Sequence, residues 1–353
     1  MKKNVKCVVW DLDHTLWEGI LLESDDVKLK DSVKKILTEL DERGILLSIA
    51  SRNDEQTVLK KLKEFEIDHF FLYPEINWNA KSVSLDNISK NLNINKDTLL
   101  FIDDQAFERE EVQNAHPDII CWEAERYQEL IENPLLKPVF ITEDAKRRRQ
   151  MYLDAERRKK DEESFQGPSD EFLASLDMRF TVTNAQESDL QRAEELTVRT
   201  NQLNASGKTY DYQELDFFRL SDSHLLLVCE LEDKYGSYGK IGLSLIEEKD
   251  DEWHIKLLLM SCRVMSRGVG TILLTAILKE AKNRGKKLFA DFKQTDRNRM
   301  MYITYKFANF KEVTADADGY ILFENDLTRI QPYPPYVDVK SEIGTETAAQ
   351  KSS

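Results

Sequence analysis

The chain has 353 residues, of which 41% are hydrophobic and 33% charged, with a formal net charge of −15. That length exceeds what one core usually serves, so two domains are expected, and the composition is that of a globular chain. The acidic balance argues against a general nucleic-acid binder, and no apolar run approaches the roughly 20 residues that span a bilayer.

The opening MKKNVKCVVWDLD is basic and then apolar. Its apolar stretch, Cys7 to Trp10, is cut by Asp11, so it reads as a buried strand and not a secretory signal, and a cytoplasmic protein is expected. Val5 to Trp10 is continuous enough for a strand covered on both faces. Val33, Ile36, Leu37 and Leu40 follow helical spacing, and Gly44 marks the helix end. Ile45 to Ile49 is the next strand, and Val58, Leu59, Leu62 and Phe65 the next helix stripe. His69 to Leu72, Leu99 to Ile102 and Ile119 to Trp122 supply further short strands. Strand–helix alternation with short connections predicts an α/β fold with a Rossmann-like parallel sheet over residues 1–140, its ligand site beyond the carboxyl ends of the strands.

Residues 141–175 read as a basic helical linker. Within it Lys146 to Arg149 and Arg157 to Lys160 form either a solvated helix or a docking surface for an acidic partner. Gly167-Pro168 breaks this helix, and Ser169 or Asp170 can cap the next one. A second α/β domain is expected over 176–328. Its strands fall near Phe180–Val182, Leu225–Val228, Lys240–Ile246 and Trp253–Met260, with helices near Leu190–Val198 and Ile272–Ala281. Residues 329–353, with Pro332-Tyr333-Pro334-Pro335, read as a disordered tail.

Four pieces of the first domain point to phosphate chemistry. Asp11 and Asp13, in Asp11-Leu12-Asp13-His14-Thr15, follow the first strand. At a strand end such a pair can divide labour, one carboxylate attacking phosphorus while the other exchanges a proton with the leaving group. Repulsion between phosphate and carboxylate demands a divalent cation and nearby donors. Ser51 ends the second strand region and can hold a phosphate oxygen. Lys81 precedes a helix and can neutralise the aspartate–phosphate pair, while Asp103 and Asp104 follow a strand and offer hard oxygen ligands for magnesium. A helix cap, a surface lysine and an acidic turn would each account for one piece; the ordered set at successive strand ends favours a site.

This set and order resemble the haloacid dehalogenase-like superfamily, through Asp11/Asp13/Thr15, Ser51, Lys81 and Asp103/Asp104. The resemblance implies Asp11 as nucleophile and Asp13 as general acid/base, with Thr15, Ser51 and Lys81 binding phosphate. It also implies Mg2+ bound by Asp11, the backbone carbonyl of Asp13, and Asp103. No long insertion separates the motifs, so a large cap is absent and the site open. VVWDLDHTLW, INWNAKS and FIDDQAFEREEV further resemble the FkbH-like proteins, a likeness that continues through Thr200–Asn204 and Met260–Val264 and covers about residues 4 to 325. That family takes a glyceryl unit from 1,3-bisphosphoglycerate, removes phosphate, and loads the unit as a thioester on an acyl carrier protein for polyketide-type biosynthesis. The sequence departs from it at His14, where Asn is more usual, at Arg52, where Lys is frequent, and over Asp296–Met301.

The second domain resembles the N-acetyltransferase fold. Arg267-Gly268-Val269-Gly270-Thr271 is similar to that fold's acyl-CoA pyrophosphate loop, so Arg267, Gly268 and Gly270 are the candidate cofactor contacts, and Tyr305 with Phe310 matches its terminal pattern. Met265 departs from the loop's usual Gln or Arg and weakens CoA binding, which disfavours a true acetyltransferase. Loading a thioester needs a thiol. Cys262, beside Arg263 and before the helix-opening loop, is the candidate, against the plain reading of a half-buried strand cysteine. Cys7, Cys121 and Cys229 read as core, and the absence of any CxxC pair argues for reduced thiols without a zinc site. Asn201 and Gln202 can bind glyceryl hydroxyls or cap a helix. Two further readings stay open: a small-molecule phosphatase with a structural C-terminal domain, and a non-catalytic interaction protein.

Overall fold

A computed structural model describes residues 5–138, 141–200 and 202–344, and the side chains of Cys262, Arg263 and Ser266 lie outside that description. The chain divides into two compact units, Met1–Glu156 and Arg157–Ser353.

In the first unit the strands are β1 (Cys7–Trp10), β2 (Trp17–Glu18), β3 (Lys28–Leu29), β4 (Leu46–Ser51), β5 (Glu75–Ile76), β6 (Leu99–Asp103) and β7 (Ile120–Glu123). The helices are α1 (Val33–Glu42), α2 (Glu55–Glu64), α3 (Lys81–Leu92), α4 (Ala106–Ala115) and α5 (Glu143–Lys146). Five strands form a parallel sheet in the order β5-β4-β1-β6-β7, with β2 and β3 a separate antiparallel pair. Side chains of β1 alternate between the faces: Val8 and Trp10 enter one core with α1 and α2, while Cys7 and Val9 enter another with α3 and α4. Burial on both faces is why β1 reads as an unbroken apolar run. The strand expected at His69–Leu72 is instead a 3-10 turn at Asp68–Phe70, joined to the sheet by a single bridge from Leu47 to Phe71. Gly44 adopts φ +69°, and a Cβ there would come within 2.6 Å of the Ala145 carbonyl oxygen, so glycine alone suits the end of α1.

Helix α6 (Arg148–Ser164) spans the division between the units, and its basic residues are largely occupied within them. In the first unit Arg148 donates to the Gly44 carbonyl at 2.7 Å and Arg149 pairs with Asp41 at 3.0 Å. In the second, Arg158 is buried and meets Asp233 at 2.6 Å. These three are therefore structural, contrary to a wholly solvated helix. Helix α7 begins at Ser169 behind Pro168, so neither Ser169 nor Asp170 is its cap.

The second unit continues with α7 (Ser169–Ala174), β8 (Met178–Asn184), α8 (Leu190–Arg199), α9 (Tyr212–Leu220), β9 (His224–Asp233), β10 (Gly236–Glu248) and β11 (Glu252–Met260). It closes with α10 (Ile272–Asn283), β12 (Lys287–Lys293), α11 (Arg299–Phe307), β13 (Lys311–Ala315), β14 (Tyr320–Asn325) and β15 (Val337–Glu342). Its mixed sheet runs β13-β14-β12-β11-β10-β9-β8-β15. One face packs against α10 and α11, the other against α8 and α9. The stretch expected to be a disordered tail is a correction: β15 pairs in parallel with β8, and Val337 and Ile343 are buried. Charged residues between the few apolar ones hid that strand from a reading of composition; residues 345–353 lie outside the description.

The side chains of Arg158 and Asp233 are 2% and 0% exposed, so each needs the other to offset its lost hydration. Arg158→Ala should lower the stability of the second unit by about 3–5 kcal/mol in denaturant unfolding, because Asp233 is left charged and buried.

Candidate active site

The carboxyl ends of β4, β1 and β6 are neighbours in the sheet, and each delivers one piece of the site. Asp11 follows β1, held by its N–H donating to the Ile102 carbonyl at 2.9 Å. Ser51 ends β4 and Asp103 ends β6. Lys81 opens α3 and turns back into the centre. Its Nζ lies 2.5 Å from Asp11 Oδ1, 3.0 Å from Asp103 Oδ2 and 2.8 Å from the Ala50 carbonyl. Glu111 on α4 fixes the start of α3 by accepting from the Ser82 N–H at 3.0 Å and the Ser82 hydroxyl at 2.5 Å. An anion at a helix N-terminus is favourable, and here it locates the lysine.

Electrostatics follow from burial. Burial works against the Lys81 charge, but Asp11 and Asp103 outweigh it and hold the ammonium above its usual range. Burial first, then the Asp11 charge, pushes Asp103 above the ordinary carboxylate range, with Lys81 pulling the other way. Asp104 is raised by burial and by Asp11 in the same way. One ammonium thus faces three crowded carboxylates. Oxygens of Asp11, Asp103 and Asp104 lie within 4.8 Å of one another, and Asp104 Oδ1 is buried with no hydrogen-bond donor. An orphaned acidic oxygen beside hard ligands fits a divalent cation. Bound there, a cation would neutralise charge between Asp11 and an incoming phosphate.

Asp13 is part of the site but not of that cluster. Its Oδ1 accepts from Trp17 Nε1 at 2.8 Å and the Leu21 N–H at 3.0 Å, and its Oδ2 from Asn53 Nδ2 at 3.0 Å. Burial holds Asp13 above the ordinary carboxylate range, against the Leu21 and Trp17 donors and with the Asp11 charge adding to it. The Ser51 hydroxyl makes no hydrogen bond among the described residues and is free to meet a phosphate oxygen. Thr15, expected as a phosphate binder, is fully buried, and its Oγ1 accepts from the Asp104 N–H at 3.1 Å. It ties the first motif to the fourth, a bracing role. His14 is exposed at φ 52°, and its N–H donates to the Gly19 carbonyl at 3.3 Å.

Sequence reasoning missed three contributors. Asn53 holds Asp13. Arg109, one turn into α4, donates to the carbonyls of Asp103 and Asp104 at 2.8 and 2.9 Å and pins that turn. Arg52 pairs with the nearly buried Glu108 at 3.0 Å and donates to the Asn79 carbonyl at 3.2 Å. Only Arg109 lies inside a motif quoted above, close in sequence to its partners; Asn53 and Arg52 have partners far along the chain.

The second-unit candidates fare differently. Arg267 is buried and paired with Glu162 at 3.1 Å. Gly268 has φ +68°, and a Cβ on it would strike the Tyr336 phenol, so the chain itself covers this side of the glycine turn; only Gly270 faces open space. The Arg267 side chain is thus engaged within the unit, and one side of Gly268 is closed. Gln202 is exposed beside Leu203–Ala205, a segment that bonds to Leu258 and Met260 of β11 and to Lys293 of β12, filling the gap where those strands part. Asn201 and the side chains of Cys262 and Arg263 lie outside the described residues. Burial pushes the thiols of Cys7 and Cys229 far up, in keeping with their reading as core, while Cys121, raised to about 11, is half-buried at the core's margin.

Residues 14–121 match the family described as haloacid dehalogenase-like hydrolase, and the first unit carries such a hydrolase domain. The N-terminal part of BF1531 from Bacteroides fragilis, containing a phosphatase domain complexed with Mg, is 23% identical over 36% of this chain, with a TM-score of 0.34. The match spans 39% of that chain. A hydrolase of the same superfamily from Ehrlichia chaffeensis is 14% identical over 37% of this chain and 96% of its own, with a TM-score of 0.31. The ribosomal-protein-S18-alanine N-acetyltransferase from Escherichia coli is 15% identical over 44% of this chain and 97% of its own, with a TM-score of 0.34. A search of curated proteins finds no match. No described helix is long and apolar enough to cross a membrane.

If the three carboxylates hold a cation, millimolar Mg2+ should raise the melting temperature of the wild-type chain. Asp103→Ala should abolish that shift. At a hundredfold excess over Kd the stabilisation is about 2.7 kcal/mol, readily seen by calorimetry.

Proposed function

We propose that the first unit is a Mg2+-dependent phosphatase acting through Asp11, and that the whole chain uses it to load a glyceryl unit from 1,3-bisphosphoglycerate onto an acyl carrier protein. One observation carries the phosphatase reading: a buried ammonium bridges Asp11 and Asp103 beside the unpartnered Asp104 oxygen. Asp11 Oδ attacks phosphorus while Lys81 offsets the charge that gathers there; a cation held by Asp11, Asp103 and Asp104 would add to that neutralisation. Ser51 takes a phosphate oxygen, and Asp13 gives its proton to the leaving oxygen and then accepts one from water. The glyceryl step rests on the motif resemblance: the Cys262 thiol attacks the acyl-phosphate carbonyl and phosphate leaves, the carrier's pantetheine thiol then takes the acyl group and frees Cys262, and Asp11 acts on the remaining phosphate ester.

A second reading is favoured by the occupied loop of the second unit. With Arg267 paired to Glu162 and Gly268 covered by Tyr336, that unit is structural and the chain a small-molecule phosphatase.

Incubation with 1,3-bisphosphoglycerate, Mg2+ and a pantetheinylated carrier, read by intact mass, separates the two. A glyceryl adduct on the carrier supports loading; phosphate release with no adduct on either protein supports the phosphatase alone. Asp11→Asn should cut phosphate release by about a thousandfold or more under either reading. An adduct persisting in Cys262→Ala would remove Cys262 from the scheme.

A further inference from the structure

The Asp13 carboxylate is held more completely than a free acid/base needs to be. Both of its oxygens accept from protein donors, two on Oδ1 and one on Oδ2. The donors are themselves immobilised. Asn53 is 1% exposed, and its Oδ1 accepts from the Asp54 N–H at 2.9 Å, which fixes which end of the amide faces Asp13. Asp54 in turn caps α2 by accepting from the Thr57 N–H at 2.9 Å. Trp17 is fully buried, paired to Leu29 across the β2–β3 ribbon and set against the Phe65 ring. Three N–H donors on one carboxyl group are complementary to its ionised form, which can only accept.

We propose that Asn53 and Trp17 are positioning residues for Asp13, forming a cradle for the carboxylate that remains after it has given up its proton. This rests on the phosphoryl-transfer reading above. In the first half-reaction Asp11 Oδ bonds to phosphorus, the bond from phosphorus to the leaving oxygen breaks, and the Asp13 proton moves to that oxygen. Asp13 is then an anion, and the cradle stabilises it where it stands. In the second half, water attacks phosphorus, the bond to Asp11 breaks, and the water proton returns to Asp13. A cradle that favours the anion assists the first transfer most when the leaving oxygen is strongly basic.

The test compares ethyl phosphate, whose leaving oxygen must be protonated, with p-nitrophenyl phosphate, whose leaving group departs as an anion. Their kcat/KM ratio reports the first transfer alone. Asn53→Ala should lower the ethyl-to-aryl ratio by about tenfold or more, as expected for a weakened general acid. Trp17→Phe, which keeps the ring and deletes only the N–H, should shift the ratio in the same direction. Binding of beryllium fluoride with Mg2+ needs the nucleophile and cation but no acid, so both variants should retain it. Equal losses on the two esters, no change in either, or a wild type that cleaves only the aryl ester overturns the proposal while the nucleophile reading stands. A wild type that binds no beryllium fluoride and cleaves neither ester overturns that reading, and the proposal with it.

Discussion

A single ammonium, Lys81 Nζ, sits in a nearly dry space between the carboxylates that end two adjacent strands and a backbone carbonyl from a third. Isolated charges in such a place are expensive, and a pair or triad is tolerated only when its members satisfy one another. The register of β4, β1 and β6 is therefore also an electrostatic condition. A strand displaced along its neighbour would carry its acid away from the one cation that offsets it. The compensation is also incomplete by design of composition, since three acids face one base. The remaining negative charge, with hard oxygen donors grouped around it, suits a divalent ion.

Around that centre the supporting contacts are short-range and specific. Thr15 joins the loop after β1 to the loop after β6, Arg109 fastens the latter from below, and Glu111 sets the helix that carries Lys81. None of these groups faces a substrate, yet each restrains one that does. The open hydroxyl of Ser51 and the unpartnered Asp104 Oδ1 stand out against these contacts. In the second unit the contrast is reversed: Tyr336 covers one side of the glycine turn, Glu162 engages Arg267, and Leu203–Ala205 fills the parting of β11 and β12.

The parallel sheet and the positions of Asp11, Ser51, Lys81 and Asp103 were legible in the sequence because strands buried on both faces leave unbroken apolar runs, and polar residues just beyond them are conspicuous. Long-range partners left no such trace. Nothing about Asn53 alone says that its amide faces Asp13, forty positions earlier. Thr15 carried a misleading signal, since a hydroxyl in a phosphate motif reads as a ligand until burial shows it bonding to backbone. The linker was misread for a similar reason. Arginines in a charged helix count as solvated unless the carboxylate that buries them is known, and Asp233 lies far along the chain from Arg158. The terminal strand escaped because its apolar residues are few and its flanks rich in proline and charge.

That strand bears on how the polypeptide matures. β15 pairs with β8 across more than half the second unit, and Arg284 and Asn184 then bond to the turn behind it at Ile343 and Gly344. During synthesis the first unit has all its strands as soon as β7 emerges. The second must wait, with the outer edge of β8 bare, until its last strand clears the ribosome. An unpaired strand edge is an aggregation hazard for as long as it lasts. A translation stall or proteolytic clip just before Val337 would make that exposure permanent, with insolubility as its first sign.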